Sequence, residues 1–231
     1  MIRLSPRLEA IGRLIPVSSR VADVGTDHGY LPIWLIEGGI SPFVIATDLR
    51  PGPLEAAKEN AGRAGIREGL SFRLADGLEA VLPHEVDVVV MAGMGGETIG
   101  GIIRRTPWLK EGTHRLILQP QSKIPRLMDE LAAAGCCVLD QHLAAEAGRI
   151  YPIYEVVPGS MEALRGGARY IHPALLRRGD PLLGAYLAGL RAKLRRALFG
   201  LEQGGGKESN KWTELHEALG DFDRWKGEGI S

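Results

Sequence analysis

The chain has 231 residues, of which 45% are hydrophobic and 24% are charged, enough to bury one full core and a small addition. No apolar run reaches the roughly 18 residues of a membrane span, and the first residues lack a secretory apolar core, so we expect a cytoplasmic protein. Basic and acidic residues both number 28, which by itself excludes a uniformly basic nucleic-acid-binding protein.

The hydrophobic pattern predicts an N-terminal helix followed by alternating strands and helices. The first helix covers about 5–15, with Ser5 as its cap and Pro6 as its first residue. Strands are expected near 20–25, 43–48, 70–75, 86–92 and 114–119, and helices near 30–38, 53–64, 97–105 and 123–134. This alternation favours an α/β protein with a parallel, doubly wound sheet. Apolar runs at 136–143 and 150–157 predict a closing antiparallel hairpin with 144–149 as its loop.

The pattern changes after Pro158. Glycine and proline residues punctuate a linker, and a helix with a leucine stripe begins near Pro181. Three glycines at 204–206 interrupt it, and a second stripe starts at Trp212 after a cap at Ser209 or Asn210. We therefore expect two domains, a ligand-binding sheet domain over 1–159 and a linker with an antiparallel helical hairpin over 160–231.

The loop after the first predicted strand carries an acid and two glycines, Asp23, Gly25 and Gly29. Such a strand–loop–helix unit cradles a nucleotide-shaped ligand. A pyrophosphate binder has glycine where this chain has Asp27, whose charge would repel phosphate. A cationic ligand such as S-adenosylmethionine fits better, although a glycine-rich turn of an unrelated α/β protein stays open at this point.

Three further strand ends strengthen that interpretation. Asp48 lies 25 residues after Asp23, near the spacing at which a carboxylate meets ribose hydroxyls. Asp76 is placed to accept the adenine amino group. Any one of these acids alone could equally be a solvated loop carboxylate or a helix cap. The residues predicted to bind the cofactor are Asp23, Gly25, Thr26, Gly29, Asp48, Leu49, Asp76, Gly77, Ala92 and Gly93.

The cysteines and histidines predict neither a disulfide nor a metal site. Cys136 and Cys137 are adjacent, so alternation along a strand would direct them to opposite faces. The six histidines are scattered without the spacing of metal ligands.

Positive charge concentrates in the C-terminal region. Residues 161–231 hold 12 basic and 9 acidic residues, against 16 and 19 in residues 1–160. Between Arg165 and Arg196 eight basic residues accompany a single acid, Asp180. A polyanion is the functional interpretation, and a solvated helix face is the alternative. The candidate phosphate-binding residues are Arg177, Arg178, Arg191 and Arg195.

Four segments together resemble the bacterial tRNA adenine(22)-N1 methyltransferases. They are Leu-Ser-Pro-Arg-Leu at 4–8, the run from Ala-Asp-Val-Gly-Thr-Asp-His-Gly to Pro at 22–32, Ala-Gly-Met-Gly-Gly at 92–96 and Leu-Ile-Leu-Gln-Pro at 116–120. The resemblance implies a class I S-adenosylmethionine methyltransferase with a Rossmann-like sheet and a C-terminal coiled-coil hairpin that assists tRNA binding. Gln121 departs from the family, which usually has asparagine there.

The resemblance also implies how the reaction proceeds. Ring N1 of adenine has a free in-plane lone pair, so alignment and charge stabilisation suffice without a proton acceptor. Asp27 is the candidate for stabilising the charge, and His28 for orienting the loop or lining the site. The alternative is that Asp27 only contacts the cofactor, or orders the loop through His28. The further residues predicted to contact RNA are Arg7, Tyr30, Met94, Gly95, Gly96, Gln119 and Pro120.

Other functions stay open on the sequence alone. A class I methyltransferase that acts on another RNA is one alternative. A methyltransferase for a protein or a small molecule would use the helical tail to dimerise, and would have little use for the basic run. A tRNA-binding protein without catalysis would not need its cofactor motifs, and a nicotinamide dehydrogenase conflicts with Asp27. We expect a monomer that acts on tRNA, without metal or membrane.

Overall fold

The computed structural model describes residues 2–207 and 209–227. Its strands are β1 Val21–Val24, β2 Val44–Asp48, β3 Leu70–Leu74, β4 Val88–Gly95, β5 Arg115–Ser122, β6 Cys136–Glu146 and β7 Arg149–Pro158. Its α-helices are α1 Pro6–Arg13, α2 Tyr30–Glu37, α3 Pro51–Arg63, α4 Gly96–Arg105, α5 Trp108–Glu111, α6 Ile124–Ala133, α7 Pro173–Arg178, α8 Leu183–Gln203 and α9 Asn210–Gly227. Short 3-10 helices cover Pro83–Glu85 and Gly166–Arg169.

The strands form one seven-stranded sheet in the order β3-β2-β1-β4-β5-β7-β6. Strands β1 to β5 are parallel, and β7 lies antiparallel between β5 and β6. This confirms the predicted parallel sheet closed by an antiparallel hairpin. In the central register Val24 lies beside Thr47 of β2 and Met91 of β4, so the loops that follow these strands share one edge.

Helices cover both faces of the sheet, which explains why β1 is buried along its whole length. On one face Met91 and Leu118 pack against the helices α4 and α6 through residues such as Ile99 and Leu127. On the other face Val90 packs with residues of α1 and α2. The two apolar clusters hold the helices against the sheet and so fix the positions of the strand ends.

The hairpin is longer than predicted. Strands β6 and β7 continue to Glu146 and Arg149, and only Ala147 and Gly148 form the turn. Both turn residues have positive φ, 49° and 73°, the conformation that matches the twist of a two-residue hairpin. The expected six-residue loop at 144–149 was therefore wrong.

The C-terminal helices form the predicted antiparallel pair. Arg191 in the first half of α8 pairs with Asp223 near the end of α9. At the other end the Trp212 indole nitrogen donates to Glu202 Oε1 at 3.3 Å. Ser209 caps α9 by accepting from the Trp212 amide at 3.2 Å. The segment between Pro158 and Pro181 is more regular than the expected linker, because it includes a 3-10 helix and α7.

The C-terminal region packs against the sheet's closing hairpin. Leu143 and Ile150 of the hairpin join the apolar cluster of α8 and α9. The buried Gln141 accepts from the His172 amide at 2.6 Å, and the Tyr154 hydroxyl donates to the Tyr170 carbonyl at 3.2 Å. These contacts hold the helices to β6 and β7. No helix within 2–207 and 209–227 has the length and apolar character needed to cross a membrane.

Candidate active site

A cleft of about 480 Å³ opens at the carboxyl ends of the parallel strands. It brings together most residues predicted to bind a cofactor: Asp23, Gly25, Asp48, Leu49, Asp76, Gly77, Ala92 and Gly93. Thr26 and Gly29 are not among its lining residues. Ligands of open α/β sheets bind at this edge. The cleft is therefore the candidate active site.

The loop after β1 takes its shape from two glycines with positive φ. Gly25 has φ 73°, and a Cβ atom there would collide with the methyl group of Met94. Gly29 has φ 70°, and its Cβ would come within 2.9 Å of the Cβ of Ala57. The amides of Gly25 and Thr26 both donate to the Thr47 carbonyl, at 2.8 and 2.9 Å. Thr26 and Gly29 thus shape the loop from behind the cleft.

Asp23 provides a buried carboxyl group at the floor of the cleft. It is 7% exposed, and no basic side chain within the described residues pairs with it. Burial raises the pKa of Asp23 to about 6, and repulsion from Asp48 acts in the same direction. A buried acid without a cationic neighbour favours a ligand that carries positive charge.

Asp48 and Asp76 line the cleft in different states. The side chain of Asp48 is 12% exposed, and its Oδ1 accepts from the Arg50 amide at 2.8 Å. This hydrogen bond closes a turn over residues 48–50 and fixes the Asp48 carboxylate at the end of β2. Asp76 is half exposed and pairs with Arg105, whose Nη2 lies 3.0 Å from its Oδ1. Asp48 is therefore the more firmly positioned acceptor.

Asp27, His28 and Tyr30 stand at the mouth of the cleft, and Asp27 and Tyr30 are among its lining residues. The Asp27 side chain is 87% exposed, and its Oδ1 lies 3.2 Å from Nε2 of His28. The His28 ring stacks on Tyr30 with centroids 5.7 Å apart. His28 has φ 60°, and Asn60 donates to its carbonyl at 2.9 Å. The loop thus presents a carboxylate and two rings where a second substrate would enter.

The glycine-rich segment is partly strand rather than the expected loop. Strand β4 continues through Gly95, with irregular pairing to β5 between Ala92 and Gly95. Gly93 and Met94 line the cleft, but Gly95 and Gly96 do not. Gly96 is buried at the start of α4, where a Cβ atom would come within 2.5 Å of the Lys123 carbonyl. Gly96 therefore packs closely against the segment before α6 and does not line the cleft.

Gln119 is fully buried and lies behind the cleft, so the predicted direct contact with RNA needs correction. Its Oε1 accepts from Arg7 Nη1 at 2.9 Å and from the Gly93 amide at 3.1 Å. Its Nε2 donates to the Pro120 carbonyl at 3.1 Å. Gln119 therefore positions Arg7 and Gly93, both of which line the cleft. Pro120 is also buried and lies outside the cleft.

Several lining residues escaped the sequence analysis. Thr98 and Ile102 of α4 lie one turn apart and face the cleft, together with Leu8, Leu31, Arg50, Pro53 and Gln121. The signal for the first two was present, because a helix that starts directly after the glycine-rich segment directs its first turns to the same edge.

The basic residues of the C-terminal region differ in their pairing. Arg191 and Arg195 share one helix face, as expected, but both contact Asp223. Arg178 contacts Asp140 and His142, which lie close to Glu155. Asp140, His142 and Glu155 lie close enough together to bind a metal ion, but all three contact arginines. Glu155 pairs with Arg115 at 2.8 Å. Arg177 is exposed.

Comparison with known proteins places the chain in a family. A model described as "Methyltransferase domain" matches residues 4–154. A tRNA (adenine(22)-N(1))-methyltransferase of Bacillus subtilis is 31% identical over 166 residues, which cover 72% of this chain and 70% of the relative. The chain belongs to this methyltransferase family.

Several solved structures share the fold of the present chain along nearly its whole length. The B. subtilis m1A22 tRNA methyltransferase TrmK superposes with a TM-score of 0.85 at 25% identity, covering 97% of this chain and 99% of that chain. A Streptococcus pneumoniae protein, described as a candidate tRNA (m1A22) methyltransferase, was solved in complex with S-adenosyl-L-methionine. It superposes with a TM-score of 0.80 at 31% identity, covering 95% of this chain and 100% of that chain.

The cleft of this methyltransferase suits that cofactor chemically. S-adenosylmethionine carries a sulfonium and an ammonium group, and the buried carboxyl of Asp23 lines the cleft. The ribose needs a hydrogen-bond acceptor, and Asp48 is held at a neighbouring strand end. Leu49 is 68% exposed beside it and offers apolar surface for adenine. The residues present therefore fit the cofactor.

Proposed function

We propose that this protein transfers the methyl group of S-adenosylmethionine to N1 of the adenine at position 22 of tRNA. The observation that carries the proposal is the strand-end cleft, which joins the acids Asp23 and Asp48 to the rim residues Asp27 and Tyr30 in one site. Family membership supports the substrate, because the B. subtilis relative is a tRNA (adenine(22)-N(1))-methyltransferase.

Three acidic residues bind different parts of the cofactor. Asp23 faces the positive groups of its methionine part, and the ligand's charge compensates for the burial of this carboxylate. Asp48 accepts from the ribose hydroxyls at the end of β2. Asp76 accepts from the adenine amino group while it stays beside Arg105. When bound, S-adenosylmethionine supplies an electrophilic methyl group.

The reaction requires alignment more than proton transfer. The N1 lone pair forms the new C–N bond while the C–S bond breaks, so the positive charge moves from sulfur to the adenine ring. Asp27 at the rim stabilises this charge, and its effect grows as the base displaces water from an otherwise exposed carboxylate. Tyr30 and His28, already stacked, provide an aromatic surface for the exposed base. Gly93 and Met94 line the other side.

We further propose that the protein acts as a monomer in the cytoplasm. Support comes from the leucine stripes of α8 and α9, which are covered within one chain by each other and by the hairpin. Sedimentation of the purified protein with and without tRNA tests this, since a dimer at working concentrations contradicts it.

Methyl transfer to a defined nucleotide tests the proposal. Purified protein is incubated with labelled S-adenosylmethionine and an unmodified tRNA transcript that carries adenine at position 22, and the product is mapped by mass spectrometry. We expect one N1-methyladenosine at position 22, and none in a transcript with guanine there. Incorporation at another nucleotide, or only into protein or small molecules, contradicts the proposal.

A further inference from the structure

A second cavity, of about 640 Å³, lies between the end of β5, the start of β7 and α8. We call it the β7–α8 groove. Arg149 and Tyr151 line it from β7, and Lys193 and Arg196 line it from α8. Gln121 lines both this groove and the active-site cleft, so the two are adjacent.

The groove is positively charged. Arg149, Lys193 and Arg196 are exposed, and no acidic residue is among the described residues that line it. Within those residues none of the three cations has a carboxylate partner, whereas Arg191 and Arg195 on the same helix contact Asp223. The uncompensated charge of α8 therefore faces the groove rather than α9.

The groove wall also holds two tyrosine side chains. Tyr186 lines the groove and is 6% exposed. Tyr151 adds a half-buried ring, with the Arg7 guanidinium 5.7 Å from its centroid. Arg7 itself lines the active-site cleft, which gives the two cavities a common wall.

We infer that the β7–α8 groove binds the strand of tRNA that adjoins the target adenosine, with Arg149, Lys193 and Arg196 on its phosphates. The inference rests on the proposed function and adds the path by which RNA reaches the cleft. A strand carrying one negative charge per nucleotide matches the three uncompensated cations. Because Gln121 lines both cavities, a strand in the groove lies next to the base that enters the cleft.

The first test removes the charge of the groove. In the triple variant Arg149→Gln, Lys193→Gln, Arg196→Gln, we expect tRNA affinity to fall about tenfold or more, and the slope of log K against log salt to flatten by about 2. S-adenosylmethionine affinity should not change. The matched control is Lys58→Gln, Arg63→Gln, Arg67→Gln, in and just after α3 at the opposite edge of the sheet. It removes the same charge and should leave tRNA affinity within about twofold.

The second test blocks the groove without changing its charge. Gly189 lines the groove on α8, and a Cβ atom there meets nothing within 4 Å. Gly189→Trp should fill the groove and weaken tRNA binding about tenfold, while Gly189→Ala at the same position should bind tRNA like the parent. Circular dichroism and S-adenosylmethionine affinity serve as controls for folding.

Unchanged tRNA affinity in both the triple-glutamine and the Gly189→Trp variants would overturn the inference. An equal loss in the α3 control would overturn it as well, because the effect would then be one of net charge. The proposed function fails separately, when the parent protein methylates no tRNA. If the parent methylates position 22 and the groove variants bind tRNA with normal affinity, the proposed function stands and the inference about the groove is wrong.

Discussion

The Arg7 guanidinium donates to the buried Gln119 side chain at 2.9 Å, and the same oxygen accepts from the Gly93 amide at 3.1 Å. One amide group thus joins α1 to the edge of the sheet where the cofactor residues meet. Two groups that line the cleft depend on it for their positions.

Gln119→Leu should reduce methylation more than it reduces stability. The change leaves the Arg7 and Gly93 donors without their acceptor, at a cost of about 1–3 kcal/mol in the free energy of unfolding. Because both donors line the cleft, we expect kcat to fall about tenfold or more in assays below the melting temperature. The matched control is Gln141→Leu, another fully buried glutamine, which bonds far from the cleft to residues 170 and 172. It should lower stability and leave kcat unchanged, and equal losses of kcat in both variants contradict a positioning role.

Asp23→Asn should stabilise the cofactor-free protein at neutral pH. The folded state holds the pKa of Asp23 at about 6, above the ordinary aspartate value of 3.8, so the folded state binds more protons between these values. Stability is therefore lost as pH rises from about 4 to 6, and the penalty at pH 7 is at most about 3 kcal/mol. Asparagine carries no charge and avoids it, so thermal unfolding should show a higher Tm. A lower Tm at pH 7 contradicts the burial of an unpaired charge.

S-adenosylmethionine binding should weaken in acid for the same reason. Only the ionised Asp23 compensates the ligand's positive charge. Below about pH 6 the affinity should fall by up to tenfold per pH unit. Calorimetric titrations between pH 5 and 8 check this, and Asp23→Asn should bind weakly at every pH. A pH-independent affinity in the parent removes Asp23 from cofactor binding.

Asp48→Ala should weaken S-adenosylmethionine binding by about 1.5–3 kcal/mol, the range for losing charge-assisted hydrogen bonds. Asp48→Asn removes the charge but keeps the turn, because the amide oxygen of asparagine can still accept from the Arg50 amide. We expect Asp48→Asn to fold like the parent and still bind the cofactor less tightly. An unchanged dissociation constant in both variants excludes Asp48 from the ribose site.

Asp27→Asn should act on turnover. If Asp27 stabilises the developing charge on adenine, kcat should fall about 10²-fold with only modest changes in the binding constants for cofactor and tRNA. The His28→Gln variant provides a comparison within the same loop, and it should have a smaller effect on kcat. A loss confined to cofactor affinity assigns Asp27 to binding.

Truncation after Gly159 tests the expected division into two domains. The cleft residues all precede this point, so the fragment should bind S-adenosylmethionine and lose most of its tRNA affinity. The structure adds a cost, because removing the helices exposes Leu143 and Ile150 and leaves Gln141 without its His172 partner. We expect a lower Tm, and Leu143→Thr with Ile150→Thr should reduce aggregation of the fragment. Unchanged tRNA affinity in the fragment would assign RNA binding to the sheet.

The sequence alone determined the parallel sheet, its closing hairpin and the acidic residues at the strand ends of the cleft. Asp23, Asp48 and Gly93 are far apart in the chain, but each lies near the carboxyl end of a parallel strand, and such strand ends meet at one edge. The pattern of apolar residues that defines the strands therefore also places these side chains. Family motifs at 22–32 and 92–96 supplied the chemistry expected there.

Only the tertiary structure decided which polar side chains pair with each other. Gln119 lies buried in β5, and its partner Arg7 comes from a helix 112 residues earlier in the chain. Arg191 is neutralised by Asp223 of the next helix, whereas Lys193 faces the β7–α8 groove with Arg149 of the hairpin. Side-chain pairing between distant elements depends on how those elements pack. The periodicity of apolar residues within one helix or strand does not specify that packing. The same run of basic residues therefore divides into paired and free charges only after the helices fold onto the sheet.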